Sequence, residues 1–570
     1  MSINLIQSRL RMNISNISFK AKNKNKTIRT KKVLLVVLPY LVKIDSSLSN
    51  TKKKLVRSFL AFPYGVLTVG SYIKKNCINK PIVEILDLNI TSDDIAEDIL
   101  NQKLLNFKPD IVGFSMSYDV SFKWLDALST IVKRYNKDIK VVAGGPAVTT
   151  AYEEILDRAK FIDALCYSEG EKGLKNLVEA DDESLELLNA PWVSKATINK
   201  DKKPDAIYED LDEVVDVDYG LVDVSAYSMK EAFSPFTKNK SSSKQFFIVT
   251  SRGCPFKCVF CAEPSFHGAN MRYVSVDNVV DHIGRLIDKY GLNVLTIYDD
   301  QILMNKNRAK ELFEKLAKYK IRIEMPNGVT MSYIDEEMAY LMRQAGVDTI
   351  FLAIESGVKR VLHDIIKKPL AFDRVKPTID ILHKNDIFVC SFFVFGLPGE
   401  TDEERIQNRE FILDVGIDWS FFNYATPLRG SELFRQAKQN KWVDEKYLKL
   451  GEVDLTDYIL RVPGMSPEKV KEDMFFMNLD VNFVNNRRMR VGDYDTAIFS
   501  FNEVISRHAD QPFAHYFISE AYKKRGLTDD FNKANFHFNR YLELISADKD
   551  WFDYANKFHL KMKKLEEVSS

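Results

Sequence analysis

Two successive α/β blocks and a helical tail are what this 570-residue chain predicts: a doubly wound parallel sheet over residues 32–180, a partial (β/α)6 barrel over 245–440, and an α-helical region over 441–570. Three observations carry the prediction. Short apolar runs alternate with helical stretches twice along the chain. The second block holds six such units, enough for a closed or three-quarter barrel. After about residue 440 the strand signals stop. Composition agrees: 45% apolar and 28% charged residues are an ordinary globular balance, and a chain this long divides into several domains. A formal net charge of +1 offers no global attraction to nucleic acid or to a membrane surface.

In chain order, residues 1–31 come first, within a 32-residue stretch that carries nine Lys or Arg and no acid. This stretch lacks the apolar core of a secretory signal and is expected to be a disordered basic tail. The longest apolar run, "VLLVVLPYLV" at 33–42, is too short to span a bilayer and contains Pro39, so it reads as a buried strand. Further strands are expected at 82–86, 111–114, 141–143 and 164–167, with helices at 65–74, 92–105, 121–135 and 152–158. Ligands of such sheets bind beyond the carboxyl ends of the strands. Residues 181–244, ending in the polar run "KNKSSSK", read as a linker with a small hairpin.

The second block starts at 245, with strands expected at 246–250, 293–298, 321–324, 349–354, 388–395 and 419–424 and a helix after each. Barrel active sites lie at the carboxyl ends of the strands. In the helical tail, "GDYDTAIFSFNEVI" from Gly492 and "GLTDDFNKANFHFNRYLEL" from Gly526 start 34 residues apart, which is the tetratricopeptide (TPR) period. Tyr494, Ala497 and Phe501 answer Phe531, Ala534 and Phe538 across a three-residue insertion. This TPR-like stretch, 488–545, amounts to about one and a half repeats and is expected either to cap the barrel or to dock a protein partner.

Of the six cysteines, Cys77, Cys166 and Cys390 stand among apolar neighbours and read as core. No disulfide framework is visible, which suits a reducing cytoplasm. The other three, Cys254, Cys258 and Cys261, lie within "SRGCPFKCVFC" at 251–261, directly after the first barrel strand. A structural zinc site wants four protein ligands. His267 could supply the fourth, but its spacing fits no common zinc pattern. A [4Fe–4S] cluster held by three thiolates leaves one iron with an open position.

This C-x3-C-x2-C loop, with aromatic Phe260 before its last cysteine and six β/α units around it, resembles the radical S-adenosylmethionine enzymes. The resemblance implies that Cys254, Cys258 and Cys261 hold a [4Fe–4S] cluster, that S-adenosylmethionine chelates its open iron, and that one-electron reduction by a donor such as flavodoxin or ferredoxin yields a 5′-deoxyadenosyl radical. Phe260 is then expected near the adenine. "AIESG" places Glu355 and Ser356 at the ribose or carboxylate, and "FGLPGET" places Gly396 and Pro398 along the adenosine. Asp299 and Asp300 of "YDD" and Arg429 of "TPLRG" are expected to face substrate.

The first block resembles the cobalamin-binding domain that precedes this barrel in one subfamily. "FPYGVLTVGSYI" at 62–73, "DIVGFSMS" at 110–117, "VVAGGPAV" at 141–148 and "YSEGEKGL" at 167–174 match its strand ends. They nominate Pro63, Gly65, Ser115, Ser117, Gly144, Gly145, Glu169 and Gly170 around cobalamin. One departure matters: all eight histidines lie at 267 or later, so this domain offers no lower-face histidine ligand. The implied reaction is methylation of an unactivated carbon of a small-molecule or lipid substrate. Oxidative rearrangement or cyclisation without methyl transfer is the alternative, and a non-catalytic TPR-containing scaffold is the reading from another class.

Overall fold

The computed structural model describes residues 30–40, 61–180, 190–199, 201–227, 234, 242–452 and 457–562, together with the backbone of the short strands Lys43–Asp45 and Lys53–Leu55. The basic tail and part of the linker, 181–189 and 235–241 among it, lie outside the described residues.

The first sheet is built from β1 (Lys32–Val37), β2 (Ile82–Asp87), β3 (Ile111–Ser115), β4 (Lys140–Gly144), β5 (Ala164–Cys166) and β6 (Trp192–Val193), in the order β2-β1-β3-β4-β5-β6. All pairs are parallel except β5–β6. Helices α1 (Tyr64–Asn76) to α5 (Glu171–Glu179) connect and cover them, with α2 at Ala96–Phe107, α3 at Phe122–Tyr135 and α4 at Pro146–Arg158. β1 is buried on both faces, as its unbroken aliphatic run requires. The strand order reverses between β1 and β3, so both send their chains outward at the carboxyl edge, where such folds bind ligands. α4 starts six residues before the apolar pattern suggests, because Pro146 occupies its first turn straight after Gly145. α5 and the antiparallel edge β6 are additions to the expected elements.

The second block has six parallel strands: β7 (Gln245–Ile248), β8 (Val294–Ile297) and β9 (Arg322–Glu324) form one sheet, and β10 (Thr349–Glu355), β11 (Phe388–Phe395) and β12 (Trp419–Tyr424) form another. A parallel bridge from Val329 to Leu352 joins them. The linker adds to this body from outside: Tyr219 is buried and its hydroxyl donates to the Phe247 carbonyl at 2.5 Å.

Among the described residues β12 has no strand beyond it, and a bare edge is a liability. The Asn482 side chain covers it: its Oδ1 accepts from the Ser420 amide and its Nδ2 donates to the Ser420 carbonyl, both at 2.8 Å. Helices α6 (Tyr494–Arg507), α7 (Pro512–Arg525), α8 (Asp530–Ala547) and α9 (Lys549–Lys557) pack behind Asn482, counted here among the carboxy-terminal helices. Phe483, Phe501 and Phe513 meet Phe351, Phe388, Cys390 and Trp419 of the strands in one apolar cluster. Under it, buried Asp418 accepts from His383 and from Arg487 and Arg488 at 2.7–2.9 Å. Among the described residues, no helix is long and apolar enough to cross a membrane.

Candidate cofactor cavity

The carboxyl ends of both sheets face each other across a cavity of about 650 Å³. From the first sheet it is lined by Pro63, Gly65, Ser115, Ser117, Gly144, Gly145, Glu169 and Gly170, and from the second by Tyr298, Asp300, Asn327 and the loop residues Arg252, Glu263 and His267. The cavity also runs down beside the sheet, past Leu35, Gly113, Val142, Cys166, Leu174 and Trp192. Backbone conformation shapes the first wall. Gly145 has φ +112°, and a Cβ there would stand 2.8 Å from the Met116 carbonyl, so a side chain is excluded twice. Gly65 has nothing within 4 Å of its missing Cβ; the space over the start of α1 is open to a ligand.

The cysteine loop enters from β7. Cys254 is buried, Cys258 and Cys261 half-buried. Backbone bonds fix the loop: Cys254 N to Gly268 O at 3.1 Å, Val259 N to Ile366 O at 3.0 Å, and Leu433 N to Val259 O at 2.8 Å. Burial pushes the free thiols of Cys254 and Cys261 up to about 11 and about 12, against amide donation from Phe256 and Glu263. Thiols so buried and so close need a positive partner to ionise, and iron supplies one. Among the described residues, no three His, Cys, Asp or Glu side chains are gathered around a point that one ion would fill; thiolates on separate corners of a cubane stand wider apart than that. A smaller cavity of about 190 Å³, lined by Cys258, Cys261, Lys257, Gly430 and Glu432 among others, opens beside the loop.

Glu355 also borders this loop. Glu355 ends β10 at a register shift with φ +73°, a left-handed conformation uncommon for a side-chain-bearing residue. It accepts from the ammonium of Lys368 at 3.2 Å, and both side chains are buried. Lys368 also stabilises the Cys258 thiolate through charge, although burial dominates and keeps that thiol above its ordinary value. Ser356 is fully buried and its hydroxyl accepts from the Val358 amide at 3.2 Å. Phe260 packs half-buried against the main barrel core.

Other nominated residues are otherwise engaged. Asp299 is buried and receives the Thr250 amide at 2.5 Å, the Thr250 hydroxyl at 2.6 Å and the Ser251 hydroxyl at 2.7 Å; it anchors the segment leading to Cys254 rather than facing a substrate. Arg429 does not face the cavity either: it pairs with Asp119 at 2.9 Å and Glu154 at 3.0 Å in the first block. Gly396 is sealed, its carbonyl accepting from Tyr458 at 2.8 Å and its amide donating to Glu400 at 2.7 Å, and a Cβ would strike the Tyr458 ring at 2.5 Å. Pro398 beside it is half-buried. Glu169 touches the cavity, yet its carboxylate is taken by Arg252, Arg272 and His267. Asp300 lines the cavity too, hydrogen-bonded to Glu263. Burial, followed by the charge of the neighbouring Asp300, pushes the Glu263 carboxyl well above its ordinary value. Glu263, Lys368 and Arg252 escaped sequence reasoning; only the position of Arg252 and Glu263 beside the cysteines hinted at them.

The family model of the radical SAM superfamily matches residues 248–412, and that of the B12 binding domain matches 56–178. An uncharacterized methyltransferase of Pyrococcus horikoshii is 29% identical over 383 residues, 66% of this chain and 79% of that protein. Cytidylyl-2-hydroxyethylphosphonate methyltransferase of Streptomyces wedmorensis is 33% identical over 268 residues, 46% of this chain and 49%, about half, of that protein. Among solved structures, the cobalamin-dependent S-adenosylmethionine radical enzyme OxsB with aqua-cobalamin bound superposes with a TM-score of 0.60 at 13% identity, covering 93% of this chain and 84% of that one. The fold and the thiol loop thus define a radical S-adenosylmethionine enzyme. Within that class the chain carries the B12 binding domain of the cobalamin-binding branch, and its cofactors are a [4Fe–4S] cluster, S-adenosylmethionine and cobalamin.

Proposed function

We propose that this enzyme methylates an unactivated carbon of a small-molecule or lipid substrate inside the cavity shared by its two α/β blocks. The observation that carries this reading is the single 650 Å³ space reached from both sheets, with Gly65 and Gly145 on one wall and Asp300 on the other. Bound there, the cluster and S-adenosylmethionine supply a 5′-deoxyadenosyl radical and the cobalamin supplies a methyl group.

The chain's own residues bind, orient and exclude water. Cys254, Cys258 and Cys261 hold the cluster and leave one iron open. Glu355, Ser356 and Phe260 border the S-adenosylmethionine, with Pro398 at the rim. Pro63, Gly65, Ser115, Ser117, Gly144, Gly145 and Gly170 surround cobalamin, and the first block itself has no histidine to offer as a ligand. Tyr298 and Phe247 give the cavity an apolar wall, while Asp300 with Glu263 and Asn327 offers hydrogen bonds that orient a substrate, as ligand sites generally combine the two. The barrel is a partial (β/α)6 TIM-type one. The helices over 488–545 are a TPR-like cap whose outer side is available to a protein partner. Electrons come from a reduced flavodoxin or ferredoxin, and the setting is the cytoplasm.

Anaerobic reconstitution with iron, sulfide and cobalamin, followed by incubation with S-adenosylmethionine and cell extract, tests the reading. Formation of 5′-deoxyadenosine together with S-adenosylhomocysteine and a product heavier by one methylene is expected. Steady 5′-deoxyadenosine with no S-adenosylhomocysteine would replace methylation by rearrangement or cyclisation.

A further inference from the structure

Glu169 stands at the cavity mouth, 4% exposed, on the loop after β5. Its Oε1 accepts from Arg272 Nη2 at 2.5 Å and His267 Nδ1 at 2.9 Å; its Oε2 accepts from Arg272 Nη1 at 3.0 Å, Arg252 Nη1 at 3.1 Å and the Glu209 amide at 3.0 Å. A carboxylate offers about four acceptor sites, so this one has none left for a cofactor. Arg252 also reaches Glu171 Oε1 at 2.8 Å. The donors are not scattered. Arg252 lies two residues before Cys254 and is paired across a two-residue antiparallel ladder with Arg272, so the two guanidinium groups are presented side by side by the frame of the cysteine loop. The acceptors Glu169 and Glu171 come from the block that carries the cobalamin wall. The positive neighbours hold the Glu169 carboxyl well below the usual carboxylate range despite its burial.

We propose that Glu169, gripped by Arg252 and Arg272, is a positioning residue that fixes the separation between the cobalamin site and the cysteine loop. Two cofactors on different blocks react through a common space, and misplacement by about 1 Å in such a geometry can cost 100-fold in rate. Sliding one block against the other would leave a buried guanidinium unpaired, which is strongly unfavourable. This inference rests on the chain holding both cofactors and is independent of whether methyl transfer follows.

Cob(II)alamin and a one-electron-reduced [4Fe–4S] cluster are both paramagnetic, so pulsed dipolar EPR on the doubly loaded protein reads their separation without any substrate. A narrow distribution is expected for the wild type. Glu169→Gln keeps the shape and removes the charge, and should broaden the distribution about twofold or more, because the ion pairs of Glu169 with Arg252 and with Arg272 are both lost. Arg272→Gln, at a more exposed side chain (21%), should broaden it less. Unchanged distributions in both variants overturn the proposal; if Glu169→Gln fails to load both cofactors, Arg272→Gln alone decides. Absence of S-adenosylhomocysteine would defeat methylation while leaving this result standing.

Discussion

The second α/β block meets the rest of the chain along two seams of different character. Towards the first α/β block the seam is hollow and, around the cavity, charged: Glu169, Glu171, Asp119 and Glu154 take Arg252, Arg272 and Arg429, while Phe62 and Tyr64 pack on Phe246 and Phe247 beside it. Towards the carboxy-terminal helices it is mostly aromatic and filled: Trp419 meets Phe483 edge-on at 5.6 Å, and Phe483 stacks on Phe501 at 5.6 Å. Charge pairs fix direction and register without filling space, which suits a seam that must leave room for bulky cofactors. Aromatic packing is dense and close to volume-filling, which suits one that only has to hold. Function and stability are therefore divided between the seams, and that division can be attacked from either side.

The largest effect should come from the polar side. Cys258→Ala leaves two thiolates where three are needed, and we expect loss of the broad iron–sulfur absorption after reconstitution and of all 5′-deoxyadenosine formation, with circular dichroism unchanged. Next, Phe483→Ala on the filled seam should cost about 3–5 kcal/mol of stability, the range for a buried aromatic truncated to Ala, measured by chemical denaturation. If the division holds, the cobalamin spectrum of the folded variant will match wild type. Gly145→Ala forces a side chain into a left-handed conformation against the Met116 carbonyl, a strain of about 1–3 kcal/mol. Cobalamin affinity should fall about tenfold with each 1.4 kcal/mol that reaches the bound state, as read by equilibrium dialysis.

The smallest effect is a pH dependence on the helical side. His515 and His537 stand with their Nδ1 atoms 3.0 Å apart. Burial first, and then the His515 charge, hold His537 down at about 4, against an ordinary value of 6.5. A histidine depressed on folding leaves stability intact above pH 6.5; it is lost as pH falls from 6.5 towards 4, where the unfolded chain takes up the proton first. The site is half-buried, so screening leaves about 1 kcal/mol of this. Thermal unfolding followed at pH 7 and pH 5 checks it; replacing His537 by Gln should flatten the difference.

Much of the fold is legible in the sequence because it depends on local pattern. β11 and β12 run over the same residues as the apolar runs that predict them, 388–395 and 419–424; β11 is buried along nearly its whole length, and a strand buried on both faces shows as a continuous apolar stretch. Pro146 and Gly145 mark the start of α4 in sequence, yet the helical pattern of apolar residues begins only later. Gly145 is legible too, because its positive φ leaves few other choices. The fate of charged residues is not. Nothing near Arg429 in sequence indicates that its partners are Asp119, 310 residues away, and Glu154. Asp299 and Asp300 are neighbours with the same chemistry, but just past the end of β8 the chain turns one down to Thr250 and Ser251 and the other into the cavity. Gly396 reads as a place for a ligand, whereas Tyr458, 62 residues on, already fills it.

Asn482 carries one more consequence. A lone amide group imitates a neighbouring strand at Ser420, so the helical region finishes the wall of the catalytic body and is no detachable appendage. Shortening the chain ahead of that residue should bare a sticky margin of Phe-rich backbone and yield aggregates, whatever becomes of the chemistry inside. Versions of this enzyme made smaller for crystallisation or engineering would do better to keep Asn482 and trim further along the chain.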